Sequence, residues 1–293
     1  MRLSAIAWTA VVSLCLVASN AAAQGTTDLA LIPPTQTISG LLPVSVTAAD
    51  NHAEVRVGLT LLPLAEVSLD FQDASGLSPA SLGATAQLVD LLDQALLSRL
   101  PDLGLTGLTN TLPLLLTIEP PANGGLSFRN TGRMEIHTHL LPYNAGTSLR
   151  VFKASLGGPF RDVTDEIAPG SVRARTTYGG FSQFLILIDL RSTGTVIAQK
   201  LQWLRDITAQ LPSGEQPPFQ ALIDQVETQV AAEDYAAALA SIEAIRSRAE
   251  QRAGVYLPNE WRATHDTHNF AGELVATANT LRFSVRYLRD FGQ

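Results

Sequence analysis

Cysteine is all but absent from this chain of 293 residues; Cys15 is the single one. It lies inside an apolar run, Ala5 to Val17, that follows Arg2 and precedes Ala21-Ala22-Ala23. A cation, a short apolar stretch and an A-x-A site together describe a secretory signal peptide over residues 1–23, cut after Ala23. Leu14 stands directly before Cys15, where lipoprotein processing needs a small residue, so no lipid is expected there. Without Cys15 the chain from Gln24 has no thiol, which excludes disulfides, thiolate zinc sites and cysteine nucleophiles. Long apolar runs are missing as well. The leader is shorter than the roughly 20 residues a spanning helix needs, and nothing later in the chain reaches that length. The expected address is the periplasm or the exterior, with no membrane span.

Basic charge is in short supply: 20 Lys and Arg face 27 Asp and Glu, for a net charge of −7. That balance argues against nucleic acid as a partner, because non-specific binding to phosphates relies on basic surface. Local catalytic signatures are also lacking. There is no Walker loop, dinucleotide fingerprint or H-E-x-x-H. Gly180-Phe181-Ser182-Gln183-Phe184 lacks the second glycine of a nucleophile elbow, and its serine precedes a strand rather than a helix. No cofactor and no catalytic residue are assigned, and the balance leans away from an enzyme.

What is present divides into two textures. From about residue 35 to 190, short segments alternate apolar and polar residues with a period of two. Val55, Val57, Leu59 and Leu61 oppose Glu54, Arg56 and Thr60; Val67, Leu69 and Phe71 follow. Further strands are expected over 114–118, 133–140, 149–154, 171–178 and 181–190, most of them bounded by turns such as Asn123-Gly124-Gly125 and Gly157-Gly158-Pro159. Alternation between turns at this spacing predicts an antiparallel β-sandwich. One inserted helix is expected at about 79–100, with Ser78 as N-cap, Pro79 at the first position, and Leu88, Leu92, Ala95 and Arg99 sharing a face. Beyond Ser192 the period becomes helical. Ile197, Leu201, Leu204 and Leu211 form one stripe, a helical hairpin is expected at about 219–252, and a final helix at about 269–290. The expected organisation is therefore a sandwich domain over 24–192 and a helical domain over 193–293.

Ser171-Val172-Arg173-Ala174-Arg175-Thr176-Thr177-Tyr178-Gly179-Gly180-Phe181-Ser182-Gln183-Phe184, ending on an apolar run to Asp189, resembles the closing strands of immunoglobulin-like sandwich modules in exported bacterial proteins. That resemblance implies an immunoglobulin-like fold, with the role of a spacer or adhesive module. The chain as a whole resembles uncharacterised exported proteins of Gram-negative bacteria. The segment Glu233-Asp234-Tyr235-Ala236-Ala237-Ala238-Leu239 is similar to the second half of a tetratricopeptide-like helical pair. It occurs once, whereas stacked repeats need roughly three, so an isolated hairpin is implied.

The candidate metal ligands are four histidines. His137 and His139 are two apart on a strand and share a face, and His265 and His268 precede the final helix. Against this, Arg133, Glu135, His137 and His139 also make up the polar face expected of a half-buried strand. Asp162, Asp165 and Glu166 are candidates for a calcium loop, or for ordinary turn chemistry. Arg282, Arg286 and Arg289 form a basic stripe that suits a helix C-terminus. Trp203 and Trp261 are read as core anchors, or as a sugar platform. These features predict an exported binding or structural protein of the cell envelope whose partner is an envelope protein or a glycan. The alternatives are a metal-assisted hydrolase built on the four histidines and a glycan-binding module.

Overall fold

The computed structural model describes residues 40–168 and 171–292; the expected signal peptide lies outside them. Along the chain come β1 (Gly40–Leu41), β2 (Val44–Ala49), β3 (His52–Leu59), β4 (Leu62–Ser75), α1 (Pro79–Leu82), β5 (Ala84–Leu88) and α2 (Gln94–Leu97). Next are β6 (Thr106–Leu108), β7 (Leu114–Ile118), β8 (Ser127–Thr138), β9 (Leu149–Ala154), β10 (Arg161–Asp162), β11 (Glu166–Ala168), β12 (Val172–Tyr178) and β13 (Gln183–Asp189). The chain ends with α3 (Thr193–Thr208), α4 (Gln216–Ala231), α5 (Tyr235–Arg252), β14 (Glu260–Arg262) and α6 (Phe270–Phe291). Among the described residues no helix is long and apolar enough to cross a membrane.

The strands form two antiparallel sheets of seven. One runs β1-β5-β7-β13-β9-β10, with β6 also on β13; the other runs β11-β12-β8-β4-β3-β2, with β14 on β8. Alternation sorts their side chains. Val55, Val67, Leu69 and Ile136 of the second sheet share one core with Leu116, Val151, Phe184 and Ile186 of the first. The intervening residues of the first sheet, Leu115, Phe152, Leu185 and Leu187, enter a separate cluster with Val89, Leu96 and Leu100. The first sheet is therefore apolar on both faces. The second exposes charge on its outer face, where Glu135 accepts from Arg173 at 2.5 Å and from Arg175 at 2.6 Å.

This arrangement is a two-sheet, β-rich α+β fold, and it corrects the immunoglobulin-like expectation. Immunoglobulin domains distribute seven to nine strands over both sheets together, whereas each sheet here has seven. The segment that carried the resemblance is decisive. β12 pairs with β8 and β11, while β13 pairs with β7, β9 and β6, so the two belong to different sheets and form no closing hairpin. The chain crosses between sheets at Gly179-Gly180, where side chains do not fit. A Cβ on Gly179 would stand 2.6 Å from the Glu273 backbone nitrogen, and one on Gly180 2.7 Å from the Trp261 ring.

The single helix expected over 79–100 is also corrected. Ser78 does cap α1, with Pro79 in its first turn, but α1 stops after four residues because Gly83 is left-handed, at φ 63. Residues 84–88 then pair one for one with 118–114 of β7. Cross-strand pairing and the burial of Ala86 outweigh local helix propensity there. Asp93 starts the short α2 by accepting from the Ala95 and Leu96 amides. Leu92, assigned to the buried stripe, is 76% exposed, while Leu96 and Leu100 cover the outer face of the first sheet.

Beyond Ser192, which caps α3, the helices bury one another. Ile197, Leu201 and Leu204 of α3 meet Phe219, Ile223 and Val226 of α4, Ile242 and Ile245 of α5, and Leu274, Leu281 and Val285 of α6. Asn269 anchors α6 to the sheets. Its Nδ2 donates to the carbonyls of Asn130 at 2.6 Å and Gly179 at 3.0 Å, and its Oδ1 accepts from the Gly272 amide. Deeper in the helix–sheet contact, Lys200 Nζ donates to Asp162 at 2.7 Å, Thr280 Oγ1 at 2.7 Å and Ser284 Oγ at 2.9 Å. Burial alone would raise Asp162, but Lys200 and Arg150, with hydrogen bonds from Lys200 and Thr164, hold it below the usual carboxylate range.

Asp165 behaves in the opposite way. Burial pushes its carboxyl from 3.8 up to about 7, against the pull of the Thr177 hydroxyl, Lys200, Arg282 and Arg133. Its Oδ1 is buried with no hydrogen-bond partner among the described residues. A folded-state pKa above the unfolded value means the folded chain binds more protons between the two. Stability attributable to Asp165 therefore falls as pH rises from about 4 to about 7 and stays low above that. Asp165→Asn is expected to match the parent near pH 3.5 and to exceed it at pH 7.5 by on the order of 4 kcal/mol. Urea denaturation at the two pH values checks this; an equal difference at both would contradict it.

Candidate functional site

A cleft of about 670 Å³ opens where β9, β10 and the β12–β13 crossing meet α3, α6 and the segment after β14. Its walls follow from the fold. The β9–β10 hairpin, turning through Gly157-Gly158, supplies Lys153 and Arg161, which are direct cross-strand partners. Trp203 and Ile207 come from α3, and Glu273, Ala276 and Thr277 from the first half of α6. The crossing contributes Tyr178 to Ser182, and the loop after β14 contributes His265, Thr267 and His268. Trp261 closes the inner end. It is buried at 7%, stacked on Phe128 at 5.4 Å and edge-on to Phe181 at 5.1 Å. Trp203 is half-buried and faces the cleft, with the Arg161 guanidinium 5.2 Å from its ring.

The charges in this cleft are unevenly matched. Glu119 lies 3.5 Å from His265 Nε2. The side chains of Lys153, Arg161 and Glu273 make no hydrogen bond or ion pair with any described residue. Burial lowers the Lys153 ammonium from 10.5 to about 8; Glu273 partly restores it and Arg161 lowers it further. The Thr267 hydroxyl is buried in the wall without a hydrogen-bond partner among the described residues.

The four histidines do not converge. His137 and His139 stack edge to face at 4.7 Å on the outer face of the second sheet. His137 shares a hydrogen bond with the Ser171 hydroxyl and stands 3.5 Å from Glu66. His265 and His268 follow β14, whose Arg262 pairs with Ser127 at the opposite end of β8. Ten residues of strand separate Ser127 from His137, roughly 30 Å at the usual rise. Among the described residues, no group of three or more His, Cys, Asp or Glu side chains is placed to hold a metal ion. The hydrolase reading required convergence of the four, and the geometry separates them into two pairs. His265 packs edge-on against Trp261 and His268 stacks on Phe270.

The remaining sequence candidates disperse in the same way. Asp162 is taken by Lys200, Asp165 by Thr177 and Glu166 by Arg175, so the three carboxylates do not share a cation. In the basic stripe, Arg289 pairs with Asp290 and Arg282 lies 3.8 Å from Glu243. Lys153, Arg161 and Glu273 were not singled out from the sequence. Their one legible trace is the Gly157-Gly158-Pro159 turn, which sets Lys153 opposite Arg161 if the flanking segments pair. Glu273 joins them only through the docking of α6.

Comparison with known families adds one finding. A model described as a family of unknown function, DUF6689, matches residues 11–289. The chain belongs to the DUF6689 family. Searches of curated proteins and of solved structures each found nothing similar. Membership in DUF6689 brings no activity with it, so the function has to be argued from the cleft.

Proposed function

We propose that this DUF6689 protein is an exported, non-enzymatic binding protein of the cell envelope that captures its ligand in the cleft between the β9–β10 hairpin and helices α3 and α6. One observation carries the reading: a cleft of about 670 Å³ lined by charged side chains, Lys153, Arg161 and Glu273, that make no side-chain hydrogen bond or ion pair with any described residue. Concave, largely apolar sites with a few polar groups aimed inward are the usual form of a ligand pocket. Export is supported by the leader-like residues 1–23. The half-buried Trp203 in the wall keeps saccharides among the ligand classes to be tried.

A thermal-shift screen tests this directly, using the chain from Gln24 against sugars, amino acids, short peptides and organic acids. At least one compound is expected to raise the melting temperature, because a ligand that binds only the folded state stabilises it by mass action. The shift is expected to vanish in Ala276→Trp, which fills the cleft from α6, while the circular dichroism of that variant matches the parent. A silent library, or a shift that survives Ala276→Trp, would overturn the proposal.

A further inference from the structure

We infer that the cleft is built for a carboxylate attached to an apolar body, with the anionic group held between Lys153 and Arg161 and the apolar part against Ile207, Trp203 and Ala276. This inference rests on the binding role proposed above and names its ligand class. The starting point is the register. Arg161 stands directly opposite Lys153 in the β9–β10 pair, and side chains directly opposite one another point to the same side, with Cβ atoms about 4.5–5.5 Å apart. Two like charges in that relation repel each other. Several other buried or clustered cations in this fold meet carboxylates. Lys200 meets Asp162, Arg191 is held by Asp189 at 2.6 Å, and Arg173 and Arg175 share Glu135. Lys153 is half-buried and Arg161 exposed; both face the cleft, and neither meets a carboxylate among the described residues.

Neither acidic group in the cleft comes within ion-pair distance of the two cations, although Glu273 partly supports the Lys153 charge. Glu119 is beside His265. Glu273 lies in the first turn of α6, where a negative charge is favoured by the helix dipole without any ligand. The Trp203 ring lies 5.2 Å from the Arg161 guanidinium, but no carboxylate among the described residues pairs with either cation, so an anion from solution is the group that completes the pair. A carboxylate suits the spacing, since its two oxygens can accept from an ammonium and a guanidinium at once. The Lys153 ammonium is lowered first by burial and further by Arg161, with Glu273 opposing, and an anion seated beside the pair would oppose the lowering too. Among the polar residues of the wall stand apolar ones, Ala154, Leu156 and Val163 beside the sheet and Ile207 and Ala276 on the helices. Inorganic anions would leave that surface uncovered.

Two sources could present this chemistry, a free organic acid or the C-terminus of an apolar peptide. Calorimetry at pH 7 with 4-phenylbutyrate and with the tripeptide N-acetyl-Ala-Ala-Phe, each as acid and as amide, separates them. The acids are expected to bind at least tenfold more tightly than their amides, and the tighter acid identifies the source. Lys153→Gln and Arg161→Gln should each weaken the acid tenfold or more and leave the amide unchanged. Glu273→Gln, which removes a like charge from the ligand's surroundings, should strengthen the acid several-fold and so guards against variants that merely misfold. Equal binding of acid and amide, or no response to Lys153→Gln and Arg161→Gln, would overturn the inference. If neither acid binds while the wider screen yields a ligand lost in Ala276→Trp, the ligand class is wrong and the binding role stands. If the screen is silent too, both fall.

Discussion

Replacing Asp162 with alanine is expected to destabilise the protein by about 3–5 kcal/mol, the usual cost of breaking a buried ion pair from one side. Lys200 is fully buried and Asp162 is 1% exposed, so the ammonium left behind would have no carboxylate and no water. Thr280 and Ser284 would still accept from it, but neutral hydroxyls do not replace a charge. The loss should also separate α3 and α6 from β10, because Lys200 links all three. Lys200→Met tests the other side: it removes the cation and strands Asp162, whose Oδ1 would keep its bonds from the Thr164 amide and hydroxyl. The double variant Asp162→Ala with Lys200→Met is expected to recover a large part of either loss, since the buried charge then disappears altogether. Chemical denaturation of the four proteins gives the coupling. Additive losses would show that the pair is not the source of the cost.

Trp261→Ala is the second large effect, with about 3–5 kcal/mol expected for truncating a buried aromatic. Trp261 stacks on Phe128, meets Phe181 and His265 edge-on, and covers Gly180 where the chain passes between sheets. It is also the centre of β14, the three-residue strand that ties the segment between α5 and α6 to β8. Losing the ring should loosen β14 and the His265–His268 loop together. Hydrogen exchange should therefore show lost protection at residues 260–262 before any at the first sheet. Trp203→Ala is expected to cost far less, because that side chain is half-buried at the cleft rather than inside the core. Equal destabilisation by the two substitutions would contradict the placement of Trp203.

These two tryptophans show what the sequence could and could not reveal. Both read alike as large apolar anchors in helical or loop context, and only the packing distinguishes them. Trp261 is buried by Phe128 and Phe181, which are distant in sequence. Local periodicity carried the elements that depend on it. Leu114–Ile118 forms a strand between turn residues, and the stripe Ile197, Leu201, Leu204, Leu211 is the buried side of α3 and the turn after it. Readings failed where a long-range partner decides. Ala84–Leu88 has helical company in sequence but is taken by β7. The β12–β13 pattern imitates a hairpin because each strand alternates correctly, yet alternation cannot say which sheet a strand joins. The cleft was the least legible feature. Its cations sit opposite one another through a hairpin register, and its acidic and aromatic groups arrive from α6 and α3, which are docked by the Lys200 and Asn269 hydrogen bonds.

The claim that this cleft is the working site is tested most directly by fluorine NMR of the chain from Gln24 labelled with 5-fluorotryptophan. That chain has two tryptophans, Trp203 in the cleft wall and Trp261 at its buried end, and Trp203→Phe assigns the two signals. Titration with a compound found by the thermal screen should move the Trp203 resonance in a saturable way and shift Trp261 less. The same compound should move none of the three resonances of Ala276→Trp. A ligand that stabilises the protein while leaving the Trp203 signal unmoved would place binding elsewhere and contradict the account.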